Sequence, residues 1–323
     1  MKSLPCSGTQ MLIKHFYDPD SSTLSYVVSC ETTRRCVIID PVLDFDYASG
    51  TISTETADKL IDYVRETDLS VDLILETHVH ADHITAAPYI RKSLGGQIAI
   101  GAMITQVQNT FAQIFNEGSD FAQDGSQFDR VFADSDSFKV GQLKGLAMHV
   151  PGHTPACMAY LIEDALFVGD TLFMPDAGTA RCDFPGGDAG ALFQSIQRLL
   201  ALPGETRVFV CHDYQPDDRG LAYETTVAEQ RATNIHIGHD IQAQDFVRMR
   251  EARDVQLGMP SLILPSLQIN MRAGFIPAAD KDDRFFLKVP LNGFGGMHMA
   301  ELPIEASPAS PDAEQDFLTG DPR

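Results

Sequence analysis

Apolar positions in this 323-residue chain shift repeatedly between the alternation of strands and the three-to-four-residue spacing of helices, which predicts an α/β fold. Segments 23–29 and 36–40 read as strands, 54–67 as a helix and 71–76 as a buried strand. That last strand, Val71-Asp72-Leu73-Ile74-Leu75-Glu76, runs straight into a histidine-rich turn. Helical spacing follows over 84–94 and stops at Gly95-Gly96. The strand pattern resumes over 146–150, 158–162 and 165–168, followed by a helix over 189–202 and a strand over 207–211. The intervening segment 103–138, rich in Gln, Asn, Asp, Ser and Phe, has turn signals at Glu117-Gly118-Ser119 and Asp124-Gly125-Ser126 and reads as an insertion. Residues 304–323 read as a disordered acidic tail, which leaves 1–303 as one domain.

An apolar content of 44% is enough for a substantial core without cross-links. The six cysteines, Cys6, Cys30, Cys36, Cys157, Cys182 and Cys211, show no CxxC spacing and fit a reducing cytoplasm. Cys30 and Cys36 flank a turn and could face each other, but two buried thiols is the preferred reading. With 24 basic and 45 acidic side chains, the net charge of −21 repels phosphate backbones and anionic membranes, so no nucleic-acid or membrane partner is expected. Residues 1–10 lack the apolar run of a signal peptide, and no stretch reaches membrane-spanning length.

The turn Thr77-His78-Val79-His80-Ala81-Asp82-His83 carries the chemistry. His78 and His80 alternate along an extended chain and so share a side, while Asp82 and His83 are expected to open the following helix and turn back toward them. Three more ligand-type residues each follow a predicted strand: His153 in Pro151-Gly152-His153-Thr154-Pro155, Asp170 after Leu166-Phe167-Val168-Gly169, and His212 after Val208-Phe209-Val210-Cys211. Loops at the carboxyl edge of a sheet converge, and imidazole with carboxylate suits zinc, iron or manganese. His15, His149, His236, His239 and His298 are isolated and read as ordinary core or surface histidines.

These seven residues resemble the metal framework of the metallo-β-lactamase superfamily, which implies an αββα four-layer sandwich with the site at one edge. Within it, Arg181-Cys182-Asp183-Phe184 is similar to an Arg-x-Asp-Phe segment of persulfide dioxygenases. The similarity extends through Leu202-Pro203-Gly204, His212-Asp213-Tyr214, the stretch from Glu229 to Asn234, and the stretch from Leu264 to Gly274. The chain also resembles bacterial β-lactamase hydrolase-like proteins. Glyoxalase II, a related family, has a basic helical segment for glutathione that is not evident in this sequence.

The resemblance implies one non-haem Fe(II) per chain, bound by His78, His153 and Asp170 with open positions left over, although such N/O sites also accept zinc or manganese. It implies oxidation of glutathione persulfide by O2 to sulfite and glutathione. His80, Asp82, His83 and His212 would then orient ligands and water. The same four residues form a second metal site in dinuclear relatives, so a thioester hydrolase of the glyoxalase II type is the alternative. A non-catalytic sulfur-binding or regulatory protein is a third reading. Arg181 and Arg272 are candidates to bind the glutathione carboxylates, with an internal pair to Asp183 or a loop carbonyl as the competing role for Arg181. Tyr214 matches a glutathione-contacting position of glyoxalase II, with a buried Tyr bonded to a backbone group as the competing role. Cys182, beside the expected pocket, is assigned to packing. Phe111, Phe115, Phe121 and Phe128 of the 103–138 segment suit a lid over the pocket, a contact in a homo-oligomer, or packing on one another.

Overall fold

Cys36, Val37, Ile38 and Ile39 are all buried, so the strand that holds them must be covered on both faces. The computed structural model, which describes residues 10–238 and 241–295, supplies that cover with four αββα layers. His239, His298, Cys6 and the 304–323 segment lie outside the described residues. The first sheet contains β1 (Met11–Asp18), β2 (Thr23–Cys30) and β3 (Arg35–Ile39), which are antiparallel. After the short β4 (Val42–Asp46) and β5 (Thr51–Ser53), β6 (Ser70–Leu75) joins parallel to β3. The two-residue β7 (Ile84–Thr85) pairs with β4, and β8 (Gln97–Gly101) and β9 (Arg130–Phe132) extend the parallel part of the first sheet.

The second sheet runs in order through β10 (Ser137–Val140), β11 (Leu143–His149), β12 (Met158–Ile162), β13 (Ala165–Phe167), β14 (Arg207–Phe209) and β15 (Glu224–Thr226). Only β13 and β14 are parallel within it. Val37, Ile39, Leu73 and Leu75 point inward and share one core with Tyr160, Phe167 and Phe209 of the second sheet. The alternate positions Ile38 and Ile74 face outward, toward the side where α1 (Glu55–Glu66) and α2 (Ala87–Leu94) bury Leu60, Ile61, Val64 and Ile90. The Tyr26 hydroxyl joins the sheets by donating to the Val210 carbonyl at 2.6 Å. The compact unit ends at Val289.

Most predicted elements appear within one or two residues of their expected limits, and three expectations need correction. Residues 84–94 do not form one helix: Ile84 and Thr85 are strand, and α2 starts at Ala87 with Pro88 in its first turn, where a missing N–H costs nothing. Asp82 and His83 therefore precede a strand and do not open a helix. The segment 103–138 holds α3 (Ile104–Ile114), all of β9 and the start of β10, so the turn signals mark only the loop between α3 and β9. Cys30 and Cys36 are both buried free thiols. In the ladder Cys30 pairs with Arg35 and Cys36 with Ser29; this one-residue offset sends the two sulfurs to opposite faces.

The second-sheet helix, α4 (Ala189–Leu200), begins against the loop after β11, with Ser195 donating to the Pro151 carbonyl at 2.6 Å. Gly152 in that loop has φ of +144°, and a Cβ there would lie 2.3 Å from the backbone nitrogen of Leu192. Gly152→Ala should therefore destabilise the fold by about 2–4 kcal/mol through strain and displacement of α4. Urea unfolding of the two proteins measures it, and a loss below about 0.5 kcal/mol would contradict the close packing.

Candidate metal centre

Every one of the seven framework residues sits just beyond a strand: the 77–83 turn after β6, His153 after β11, Asp170 in a short 3-10 turn after β13, and His212 after β14. The structure brings all of them together, and six of the seven are buried, with Asp82 half-buried. His78 Nε2 and His153 Nε2 lie 3.9 and 3.7 Å from Asp170 Oδ2, and the donor atoms of these three residues all fall within 4.8 Å of one another. His212 Nε2 stands 3.2 Å from Asp170 Oδ1 and 3.3 Å from Asp82 Oδ2, and His83 Nδ1 is 3.6 Å from the same Asp82 oxygen.

Hydrogen bonds behind the rings decide which nitrogen faces the centre. Thr77 Oγ1 donates to Asp40 Oδ2 at 2.8 Å, so the proton in its 3.0 Å contact with His78 comes from Nδ1, leaving the Nε2 lone pair pointing inward. His153 Nδ1 donates to the Arg181 carbonyl at 2.8 Å, with the same result. His80 Nε2 meets Asp40 Oδ1 at 3.0 Å, and its Nδ1 is buried without a partner. Asp40 thus orients both members of the HxH pair. Sequence reasoning passed over it, although its place at the end of β3, on the same sheet edge, was the signal available. Glu76 is a second omission: burial pushes its carboxyl up to about 8, and it accepts from Thr85 Oγ1 at 2.5 Å.

The donor set fits a divalent cation. Asp82 Oδ2, His83 Nε2, Asp170 Oδ1 and His212 Nε2 are buried without a hydrogen-bond partner, an arrangement that costs free energy unless something positive fills it. Burial alone would lower the pKa of His212, yet the Asp170 and Asp82 carboxylates outweigh it and push that pKa up to about 10. The cluster therefore calls for positive charge, which a proton supplies in part and a metal ion supplies better.

The centre opens into a cleft of about 530 Å3. Tyr214 lines it, 55% exposed, with its ring nearly parallel to that of His212 at 5.7 Å. Arg181 lines it too, but its guanidinium is held by both Asp183 oxygens, at 2.6 and 2.7 Å, and by the Gly258 carbonyl at 2.6 Å. The internal pair considered for Arg181 is thus present. Arg272 is not brought to the cleft: it pairs with Glu117 at 2.8 Å, donates to the Gln268 carbonyl at 2.6 Å and lies over Phe121. The Cys182 sulfur is buried and its pKa is raised by that burial, in keeping with packing. His15 packs on Tyr223 and His149 contacts the Pro155 carbonyl, both away from the centre. His236, expected to be an ordinary histidine, is buried in the cleft wall and accepts from the Thr179 N–H at 2.9 Å. The cleft is bordered by α6 (Ala243–Asp254), following α5 (Val227–Thr233); its three arginines, Arg248, Arg250 and Arg253, are balanced by Asp245, Glu251 and Asp254, so it is not a basic helix. Arg250 is buried in a pair with Asp254, while Arg253 lines the cleft and its guanidinium has no ion pair or hydrogen bond among the described residues.

Residues 18–212 match the metallo-β-lactamase superfamily. The chain belongs to that superfamily. It is 50% identical over 292 residues to a probable metallo-hydrolase of Burkholderia pseudomallei, covering 87% of this chain and 99% of that one. It is 49% identical over 284 residues to a β-lactamase hydrolase-like protein of Xylella fastidiosa, covering 88% of this chain and only 65% of that longer protein. Identity to the mitochondrial persulfide dioxygenase ETHE1 of Bos taurus is 30% over 271 residues, 83% of this chain and 91% of that one. The crystal structure of ETHE1 from Myxococcus xanthus superposes with a TM-score of 0.65 at 30% identity, covering 82% of this chain and all of that one.

In this member of the superfamily the His78–His83 turn is clamped from the last helix of the described residues, α7 (Ile263–Asn270). The buried Asn270 amide accepts from the Thr85 N–H at 2.9 Å and donates to the carbonyls of His80 and His83 at 2.9 and 2.8 Å. Asn270→Asp keeps the acceptor but loses both donors and adds a carboxylate beside two buried carbonyls. Metal affinity should fall about 10–100-fold, as for other residues that orient ligands, when measured by competition with a chelator. Unchanged affinity in a folded variant would contradict the clamp.

Proposed function

We propose that the protein is a mononuclear non-haem iron persulfide dioxygenase acting on glutathione persulfide. The observation that carries this reading is the close group of His78, His153 and Asp170. It comprises two imidazoles with inward Nε2 lone pairs and one carboxylate, the donor type that leaves open positions on an octahedral ion. Identity to a persulfide dioxygenase over most of the chain supports the same reading. When bound, iron would supply the redox chemistry by which O2 and one water convert the terminal sulfur to sulfite and release glutathione. The chain's own residues hold the reactants. His78, His153 and Asp170 present their donors on a rigid sheet edge, and Phe173 and Phe184 provide apolar walls. Arg253 offers an unpaired guanidinium for a substrate carboxylate, a role that replaces the one expected of Arg272.

A second reading, a two-metal thioester hydrolase, is favoured by the unpartnered atoms of Asp82, His83 and His212, which would suit a second ion. The two readings differ in metal retention and substrate. Asp170→Ala should lose iron, whereas His212→Ala should retain one iron per chain. Wild-type protein should consume oxygen with glutathione persulfide. Two zincs per chain, no oxygen uptake and rapid cleavage of S-lactoylglutathione would overturn the dioxygenase assignment. For the carboxylate contact, Arg253→Ala should raise KM for glutathione persulfide about tenfold with kcat little changed, the pattern of lost uniform binding. An unaltered KM would remove Arg253 from the site.

A further inference from the structure

A second cavity, of about 20 Å3, meets the cleft at Ala81, His153 and Phe184, which line both spaces. One water-sized sphere needs about 10–15 Å3, so there is room for one small molecule. Val79, Val107, Ile263 and Leu267 form half of its remaining wall, and all four are buried and apolar. Its polar neighbours are already engaged. Thr154 Oγ1 contacts Cys157 Sγ at 3.0 Å and accepts from the Ala156 N–H at 3.2 Å, while His153 Nδ1 donates to the Arg181 carbonyl. A buried water needs two to four hydrogen-bond partners, and apolar cavities of this kind stay dry and accept small apolar guests.

We propose that this cavity is a dioxygen-binding pocket feeding the metal centre; the proposal rests on the dioxygenase reading. Its placement separates the two reactants. An ionic persulfide occupies the polar cleft, while an apolar gas collects between α3 and α7, one side chain from the metal ligand His153. Phe184 forms the partition, with its ring edge-on to His153 at 5.6 Å. The Arg181 guanidinium lies 4.8 Å from that ring and is held in turn by Asp183. The Arg-x-Asp-Phe segment thereby has a mechanical role: its ion pair keeps the partition standing.

Val107→Leu adds one methylene to the cavity wall, away from the metal donors and the cleft. In the iron-loaded protein it should raise KM for oxygen about tenfold, the effect of one methylene in an apolar pocket, with iron content and KM for glutathione persulfide unchanged. Crystals of the iron-loaded wild type under xenon should show one xenon between Val107 and Leu267. Xenon pressure should also raise the apparent KM of the wild type for oxygen, a readout that does not depend on how the variant folds. Oxygen consumption without xenon at this position, or with an oxygen KM indifferent to xenon, would overturn the pocket and leave the dioxygenase reading intact. Xenon bound in a protein that consumes no oxygen would overturn the dioxygenase reading, and with it oxygen as the guest.

Discussion

Four carboxylates, Asp40, Glu76, Asp82 and Asp170, and five imidazoles crowd one end of the two sheets with little water to screen them. Such a cluster is costly to bury unless its charges are matched. The outer part of the cluster achieves this by itself: Asp40 takes hydrogen bonds from Thr77 and lies against His80, and Glu76 is pushed toward its neutral form. The inner part does not. His212 faces both the Asp82 and the Asp170 carboxylate, at 3.3 and 3.2 Å, and one imidazole proton cannot balance two buried carboxylates; that remaining charge makes a metal ion part of the fold's energetics as well as its chemistry.

Precision at the centre comes from groups that never touch a metal. The carbonyl of Arg181 sets the His153 tautomer, the Asp40–Thr77 pair sets that of His78, and Asn270 holds the carbonyls of the turn between β6 and β7. These partners lie far apart in sequence, just after β3, on α7 and in the loop after β13. The turn is thus fixed by the whole sandwich, and the similarity of the 264–274 stretch to persulfide dioxygenases acquires a physical meaning through Asn270.

The α/β character and the seven framework residues were legible because each rests on a local signal, an apolar strand that ends in His or Asp; the sandwich came only from the resemblance that those residues carry. What was not legible depends on long-range geometry. Asp40 looks like any strand-terminal acid until Thr77 and His80 are folded against it. Arg272 looks like an anion-binding residue until Glu117 is brought beside it. The helix carrying Arg250 and Arg253 has almost no amphipathic pattern, because Arg250 and Asp254 are buried as a pair instead of apolar residues. In 84–94, helical spacing was real but Thr85 was claimed by the Asn270 and Glu76 hydrogen bonds, which hold it as strand.

The seven donors could serve one ion or two, and the assignment of function turns on that number. Anaerobic titration of metal-free protein with Fe(II), using the paramagnetic nitric oxide adduct as the reporter, counts ions directly. The account predicts a mononuclear high-spin signal that grows to one iron per chain and then stops. A second tightly bound equivalent that couples to the first and removes the signal would contradict it and favour the two-metal hydrolase.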